Sequence, residues 1–188
     1  MSNYPPLIYL GGVPGSGKTT LGRAVSGKLQ GLEYISSGEI KGPESRARFG
    51  KSLSLLDQEE SFQINAWFLN KLKQEKSTKP ILVDTHYTYP IQGQDFVRLL
   101  PEECIEDVNL FVLVEADVEE ILRRRVNRGR NGDSIDISFI KRELSEERDE
   151  AYRTSFQFGK QLIPMYNQGR LEDTIERFIG FLIQKYFP

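Results

Sequence analysis

The chain has 188 residues, 38% hydrophobic and 28% charged, with a formal net charge of −2. A single domain over residues 1–188 accounts for that length, and the near-neutral balance gives no reason to expect a membrane or direct nucleic-acid partner. The one cysteine, Cys104, cannot form an intrachain disulfide, and the opening MSNYPPLIYL lacks the basic and apolar stretches of a secretory leader, so a reducing, cytoplasmic setting is expected.

Leu7–Leu10 is a short apolar run halted by Gly11-Gly12 and reads as a buried strand. A helix should follow from about Gly17, with Leu21, Ala24, Val25 and Leu29 on one face and Gly31 ending it. Glu33–Ser36 reads as a second strand. Residues 37–57, rich in Ser, Gly, Lys and Arg, read as irregular. A helix is expected over about 58–76, with Phe62, Ala66, Leu69 and Leu72 inward. Ile81–Asp84 is a third strand, and 85–93 reads as a loop broken by Pro90 and Gly93.

Asn109–Val114 is a fourth strand. Asp117 then stands in N-cap position with Glu120 three residues on, the capping-box spacing, before Val118, Ile121, Leu122 and Val126. A mobile loop is expected over about 127–136. A long helix should follow over about 138–158, turning Ile140, Leu144, Ala151 and Tyr152 inward. Leu162-Ile163 is a fifth strand, and Leu171 to Tyr186 carry a last amphipathic helix. Strands alternating with helices predict an α/β fold, a parallel sheet covered on both faces that binds ligands at its strand C-terminal edge.

Gly12-Val13-Pro14-Gly15-Ser16-Gly17-Lys18-Thr19 fits the phosphate-loop pattern G-x-x-x-x-G-K-[ST] at every fixed position. Such a loop curls its N–H groups around phosphate, and the helix that follows adds positive potential. Lys18 should reach the β- and γ-phosphates, and the Thr19 hydroxyl should ligate Mg²⁺. Thr20 stands where a dinucleotide fingerprint begun at Gly15 would need its last Gly, which excludes that reading. Asp84, ending the third strand, is the expected second magnesium ligand. His86 is the only histidine and falls at the same sheet edge, where it could position water or touch the acceptor.

Arg123, Arg124, Arg125, Arg128 and Arg130 put five arginines into eight residues of an acidic protein. Phosphoryl transfer needs cations over the migrating group. A phosphate acceptor is already largely anionic near neutral pH and needs no base, whereas a hydroxyl acceptor does. The cluster therefore favours a nucleoside monophosphate.

GVPGSGKTTLG, ISSGEI, ILVDTH, ILRRRVNRGR and EERDEAY, taken in that order, resemble archaeal-type adenylate kinases. They resemble equally the related nuclear adenylate kinase-like ATPases that act in ribosome small-subunit assembly. The Asp84-x-His86 pair is the most particular part of the likeness. The resemblance implies a five-stranded sheet in order 2-3-1-4-5 with a short lid over 127–136. It implies the reaction ATP + AMP ⇌ 2 ADP with Mg²⁺, and a monophosphate segment over 37–57 and part of 58–76. It implies that Ser37, Gly38 and Glu39 open the acceptor site and that Arg124 and Arg128 serve as lid arginines. Asn167-Gln168 would flank the ATP base, and Arg148 would act on the acceptor side.

Two departures fall on that acceptor side. Gly42 stands where the family has an arginine, leaving Lys41, Arg46 or Arg48 to replace it. The family's Gly-Phe-Pro-Arg is absent. The resemblance thus also admits an ATPase with a ribosomal protein partner, and the phosphate loop alone admits a kinase for a small hydroxyl-bearing metabolite or nucleoside, with Asp84 as base.

Overall fold

The computed structural model describes residues 5–74, 79–91, 95–129 and 133–187. Its strands are β1 (Leu7–Gly11), β2 (Glu33–Ser36), β3 (Ile81–Asp84), β4 (Thr88–Pro90), β5 (Phe96–Arg98), β6 (Val108–Glu115) and β7 (Leu162–Tyr166). Its helices are α1 (Lys18–Lys28), α2 (Ser37–Phe49), α3 (Gln58–Gln74), α4 (Val118–Arg128), α5 (Ile137–Gln157) and α6 (Leu171–Tyr186).

Five strands form one parallel sheet in the order β2-β3-β1-β6-β7. With the separate β4–β5 hairpin set aside, this is the expected 2-3-1-4-5 order. Successive β1 residues serve opposite cores. Leu7 and Tyr9 join Phe68, Leu69, Leu72, Phe111 and Ala151 on one face. Ile8 and Leu10 join Leu21, Val25, Ile175, Phe178 and Leu182 on the other. A strand buried on both faces reads as a continuous apolar run, which is why these were legible. A third small cluster of Val13, Ala116, Ile121 and Ile140 supports the phosphate loop from below.

Register aligns the functional edge. Leu10 pairs with Asp84, and Ser36 pairs with Asp84 from the other side. The segments that leave β1, β2 and β3 therefore begin at one level.

Several expectations are corrected. Residues 37–49 are not irregular but form α2, despite Gly42 and an internal Pro43, because Ser37, Lys41, Gly42 and Ser45 are buried. The stretch after Asp84 is not all loop, since Thr88–Pro90 pairs antiparallel with Phe96–Arg98. Asp117 makes no side-chain cap bond, and Glu120 turns instead to Arg123 and Arg124. Tyr152 and Val126 lie exposed rather than inward. The expected breaker Gly93 and the ends of α3 at 75–76 fall outside the described residues, as does Arg130 in the expected lid.

Candidate active site

A cleft of 780 Å³ opens at the C-terminal edge of the sheet. The phosphate loop forms one wall, α2 and α3 the other, and Asp84, His86, Arg124 and Arg128 the floor and rim.

The loop joins β1 to α1. Gly17 has φ of +95°, and a Cβ there would come within 2.1 Å of the Asn167 amide nitrogen. Only glycine fits both the dihedral and the space. Gly11 is fixed by proximity alone, because a Cβ would lie 2.1 Å from the Tyr87 ring. The Lys18 ammonium donates to the carbonyls of Gly12 and Val13. Burial pushes it below its ordinary pKa, against the pull of Asp84 and Glu147.

Around the loop, carbonyls are tied back by cations. Arg124 donates to the carbonyls of Gly15 (3.2 Å), Ser16 (2.9 Å) and Asn167 (2.9 Å). Arg125 donates twice to Pro14 O, at 2.9 and 2.7 Å, and once to Ser134 O at 2.9 Å. Its fully buried guanidinium is paired with Glu143. Drawing the carbonyls outward leaves N–H groups to face a ligand, which an anion-binding loop requires.

The Thr19 hydroxyl donates to Asp84 Oδ2 at 2.6 Å, and the Tyr34 hydroxyl donates to the same oxygen at 2.7 Å. Thr19 and Asp84 are hard oxygen ligands at the mouth of the phosphate loop and suit Mg²⁺, which accepts one or two protein oxygens alongside phosphate and water. Among the described residues no group of three or more His, Cys, Asp or Glu could hold an ion unaided. Mg²⁺ at this place would therefore arrive with the nucleotide.

On the opposite wall, Lys41 is 5% exposed yet lines the cleft. Its ammonium donates to Asn65 Oδ1 at 2.8 Å and lies 5.7 Å from the Phe68 ring. Burial pushes its pKa down to about 8. Neither Lys41 nor Arg46 has an acidic partner within 4 Å among the described residues, and Arg46 lines the same wall. Arg48 turns away to Glu44 and Trp67.

The cleft thus gathers Pro14, Gly15, Gly17, Lys18, Thr19, Thr20, Ser37, Gly38, Lys41, Arg46, Asp84, His86, Arg124 and Arg128. Gly12 and Ser16 are buried in the loop behind its lining. Asn167 is also buried there, donating to Ser16 O at 2.8 Å. Gln168 is exposed and donates to Asp117. Arg148 lies outside the lining, where its Nε donates to Glu115 Oε1 at 2.6 Å. Arg128 sits at the rim, paired with Asp133.

Arg125, expected among the cations over the migrating group, instead braces Pro14 O from behind the loop, and sequence reading passed over Tyr34, Asn65, Glu143 and Glu147. The last two had a signal. They fall three and seven residues after Ile140, on the stripe that also carries Ala151. Acids on an apolar helix stripe mark a buried polar contact.

Residues 11–141 match the family described as "AAA domain". The chain belongs to this family. Among curated proteins, this chain is 27% identical to an adenylate kinase of Methanothermobacter thermautotrophicus, across 94% of this chain and 98% of the relative. It is 25% identical to the adenylate kinase of Prochlorococcus marinus over equal shares. Against that of Methanopyrus kandleri it is 30% identical, over 64% of this chain and 66% of the relative.

Among solved structures, a Janibacter sugar kinase superposes with a TM-score of 0.62 at 17% identity, covering 95% of this chain and 94% of that one. A shikimate kinase from Acinetobacter baumannii superposes with 0.59 at 20% identity, covering 99% and 97%. At such identities the likeness shows the fold alone, that of P-loop kinases. No helix among the described residues is long and apolar enough to cross a membrane.

Proposed function

We infer that the protein is a Mg²⁺-dependent phosphotransferase that moves the γ-phosphoryl group of ATP to a nucleoside monophosphate, with AMP favoured. The observation that carries the reading is the wall facing the phosphate loop. A buried ammonium at Lys41 and a guanidinium at Arg46 line it, with no acid within 4 Å of either among the described residues. A cation buried without a counter-ion is costly, and an anionic ligand would relieve that cost.

Among the described residues, Glu39 is the one carboxylate that α2 or α3 brings to the lining. Asp84 is engaged by Thr19 and Tyr34, and the Glu39 side chain pairs with Arg23 at 3.2 Å. A phosphate acceptor needs cations rather than a base. The relatives named adenylate kinase support AMP as that acceptor.

In this reading Lys18 leaves the Gly12 and Val13 carbonyls for the β- and γ-phosphates. Thr19 and Asp84 would hold Mg²⁺, which would neutralise phosphate charge. Lys41 and Arg46 hold the acceptor phosphate, one oxygen of which forms a bond to the γ-phosphorus. The bond from that phosphorus to the β–γ bridging oxygen breaks, and the electrons leave on ADP. Arg128, and Arg124 on leaving the Gly15, Ser16 and Asn167 carbonyls, would face the charge spread over the transferring group. Gln168 and Arg148 carry no step.

A panel of nucleoside monophosphates with Mg²⁺ and ATP, run beside a no-acceptor control, tests the reading. AMP should raise ADP formation sharply. A panel in which no monophosphate accelerates it would end the proposal.

One observation favours a second reading, hydrolysis of ATP without an acceptor. His86 lines the cleft two residues after Asp84 and could orient water. Turnover in the no-acceptor control that depends on His86 would support it.

A further inference from the structure

Glu147 lies on α5, 2% exposed, and outside the lining of the cleft. Its two carboxylate oxygens accept four hydrogen bonds. Oε1 takes the N–H of Gly12 at 2.7 Å and of Tyr87 at 2.9 Å. Oε2 takes the N–H of Thr88 at 2.7 Å and its hydroxyl at 2.9 Å. Every partner is a donor, an arrangement that the ionised carboxylate fits.

The partners come from two places distant in sequence. Gly12 opens the phosphate loop, while Tyr87 and Thr88 follow His86. The peptide between His86 and Tyr87 is gripped on both sides, because the Tyr9 hydroxyl donates to His86 O at 2.6 Å while Glu147 takes the Tyr87 N–H. The imidazole thereby stands at the cleft on a peptide held at both its C=O and its N–H. One turn earlier on α5, Glu143 pairs with Arg125, which holds Pro14 O. One helix face thus anchors both the first residue and the crown of the phosphate loop.

We propose that Glu147 is a positioning residue that locks His86 in register with the phosphate loop, so that its contribution to turnover is made through His86. The proposal rests on the second reading, in which His86 orients water, and extends it by giving His86 a contact with the transferring phosphoryl group when an acceptor is present. A carboxylate is required. In Glu147→Gln one oxygen becomes an NH₂ group and meets two donors, which must move away.

The test is a double-mutant cycle of Glu147→Gln and His86→Ala, read on monophosphate-driven ADP formation and on acceptor-free ATP hydrolysis. In the wild-type background Glu147→Gln should lower kcat about tenfold or more, with KM for ATP changed less than about threefold. In the His86→Ala background the same substitution should change kcat less than about twofold. An equal loss in both backgrounds, or a loss carried wholly by KM for ATP, overturns the proposal.

Should Glu147→Gln not accumulate as folded protein, Thr88→Val removes one donor from the same oxygen and keeps the backbone. Its smaller loss in kcat should likewise vanish without His86, and a loss that persists is decisive against. Amide resonances supply a readout independent of turnover. Those of Gly12, Tyr87 and Thr88 should lie downfield in the nucleotide-free protein and move upfield in Glu147→Gln; unmoved resonances refute the clamp. Absence of any monophosphate-driven reaction would remove the kinase reading, while the hydrolysis cycle would still decide the role of Glu147.

Discussion

Lys41→Met should make the protein more stable and worse at its reaction. An ammonium moved from its ordinary 10.5 to about 8 by burial costs the folded state about 3 kcal/mol. Below pH 8 both folded and unfolded chains hold the proton, and that cost is fully present. Between about 8 and 10.5 the unfolded chain still binds a proton that the folded chain has released, so wild-type stability rises with pH across that window. Methionine relieves the cost throughout. It forfeits the Phe68 ring contact, worth about 0.5–1 kcal/mol. It also leaves Asn65 Oδ1 without its ammonium donor, at about 1 kcal/mol.

The net gain at pH 7 is about 1–2 kcal/mol, or a rise in Tm of roughly 2–8 °C for a chain of this size. The acceptor site moves the other way. Losing a charge-assisted hydrogen bond to phosphate should raise the acceptor KM about 10- to 100-fold with ATP saturating. Thermal melts at pH 7 and pH 10 measure the first half, because the advantage over wild type should shrink at the higher pH. Steady-state kinetics measure the second. A variant that melts below wild type at pH 7 and keeps its acceptor KM refutes the reasoning.

Arg128→Ala should lower kcat at least about tenfold and leave ATP affinity nearly unchanged, since its demand is greatest in the transition state. Its pairing joins a half-exposed guanidinium to an Asp133 carboxylate that is 9% exposed, so the melting temperature should fall modestly; an unchanged kcat would remove it from the chemistry. Gly17→Ala should abolish nucleotide binding by calorimetry and destabilise by about 2 kcal/mol or more, because the left-handed φ and the Asn167 amide both oppose a methyl. Wild-type-like binding would sink the loop geometry. Arg125→Met strands the buried Glu143 carboxylate and should destabilise by about 3–5 kcal/mol in denaturant melts. A change under about 1 kcal/mol would mean the pair is solvated.

The phosphate side of the cleft was legible and the acceptor side largely was not. Gly12 to Thr19 is one contiguous stretch whose spacing dictates its own geometry, and Asp84 ends an unbroken apolar strand. The buried parallel strands announced themselves for the same reason. By contrast α2 contains Gly38, Gly42 and Pro43, a composition that argues against a helix. It forms because Ser37, Lys41 and Ser45 are buried and α3 packs beside it, with Asn65 meeting Lys41. The β4–β5 pair escaped notice because it is three residues long on each side and apart from the main sheet.

Local pattern by itself determined the element order, the strand-to-helix phosphate loop and the two residues suited to Mg²⁺, because each of these depends on neighbours within a few positions. Tertiary structure alone decided which cations face the cleft and which are turned away. Arg46 lines it while Arg48 turns to Trp67, and Arg124 and Arg125, one residue apart, brace different carbonyls. It alone decided that one carboxylate on α5 would meet Gly12 and Thr88. The physical reason is that hydrogen bonds and burial are satisfied in space, between segments up to 151 residues apart, where no periodicity in the chain records the partner.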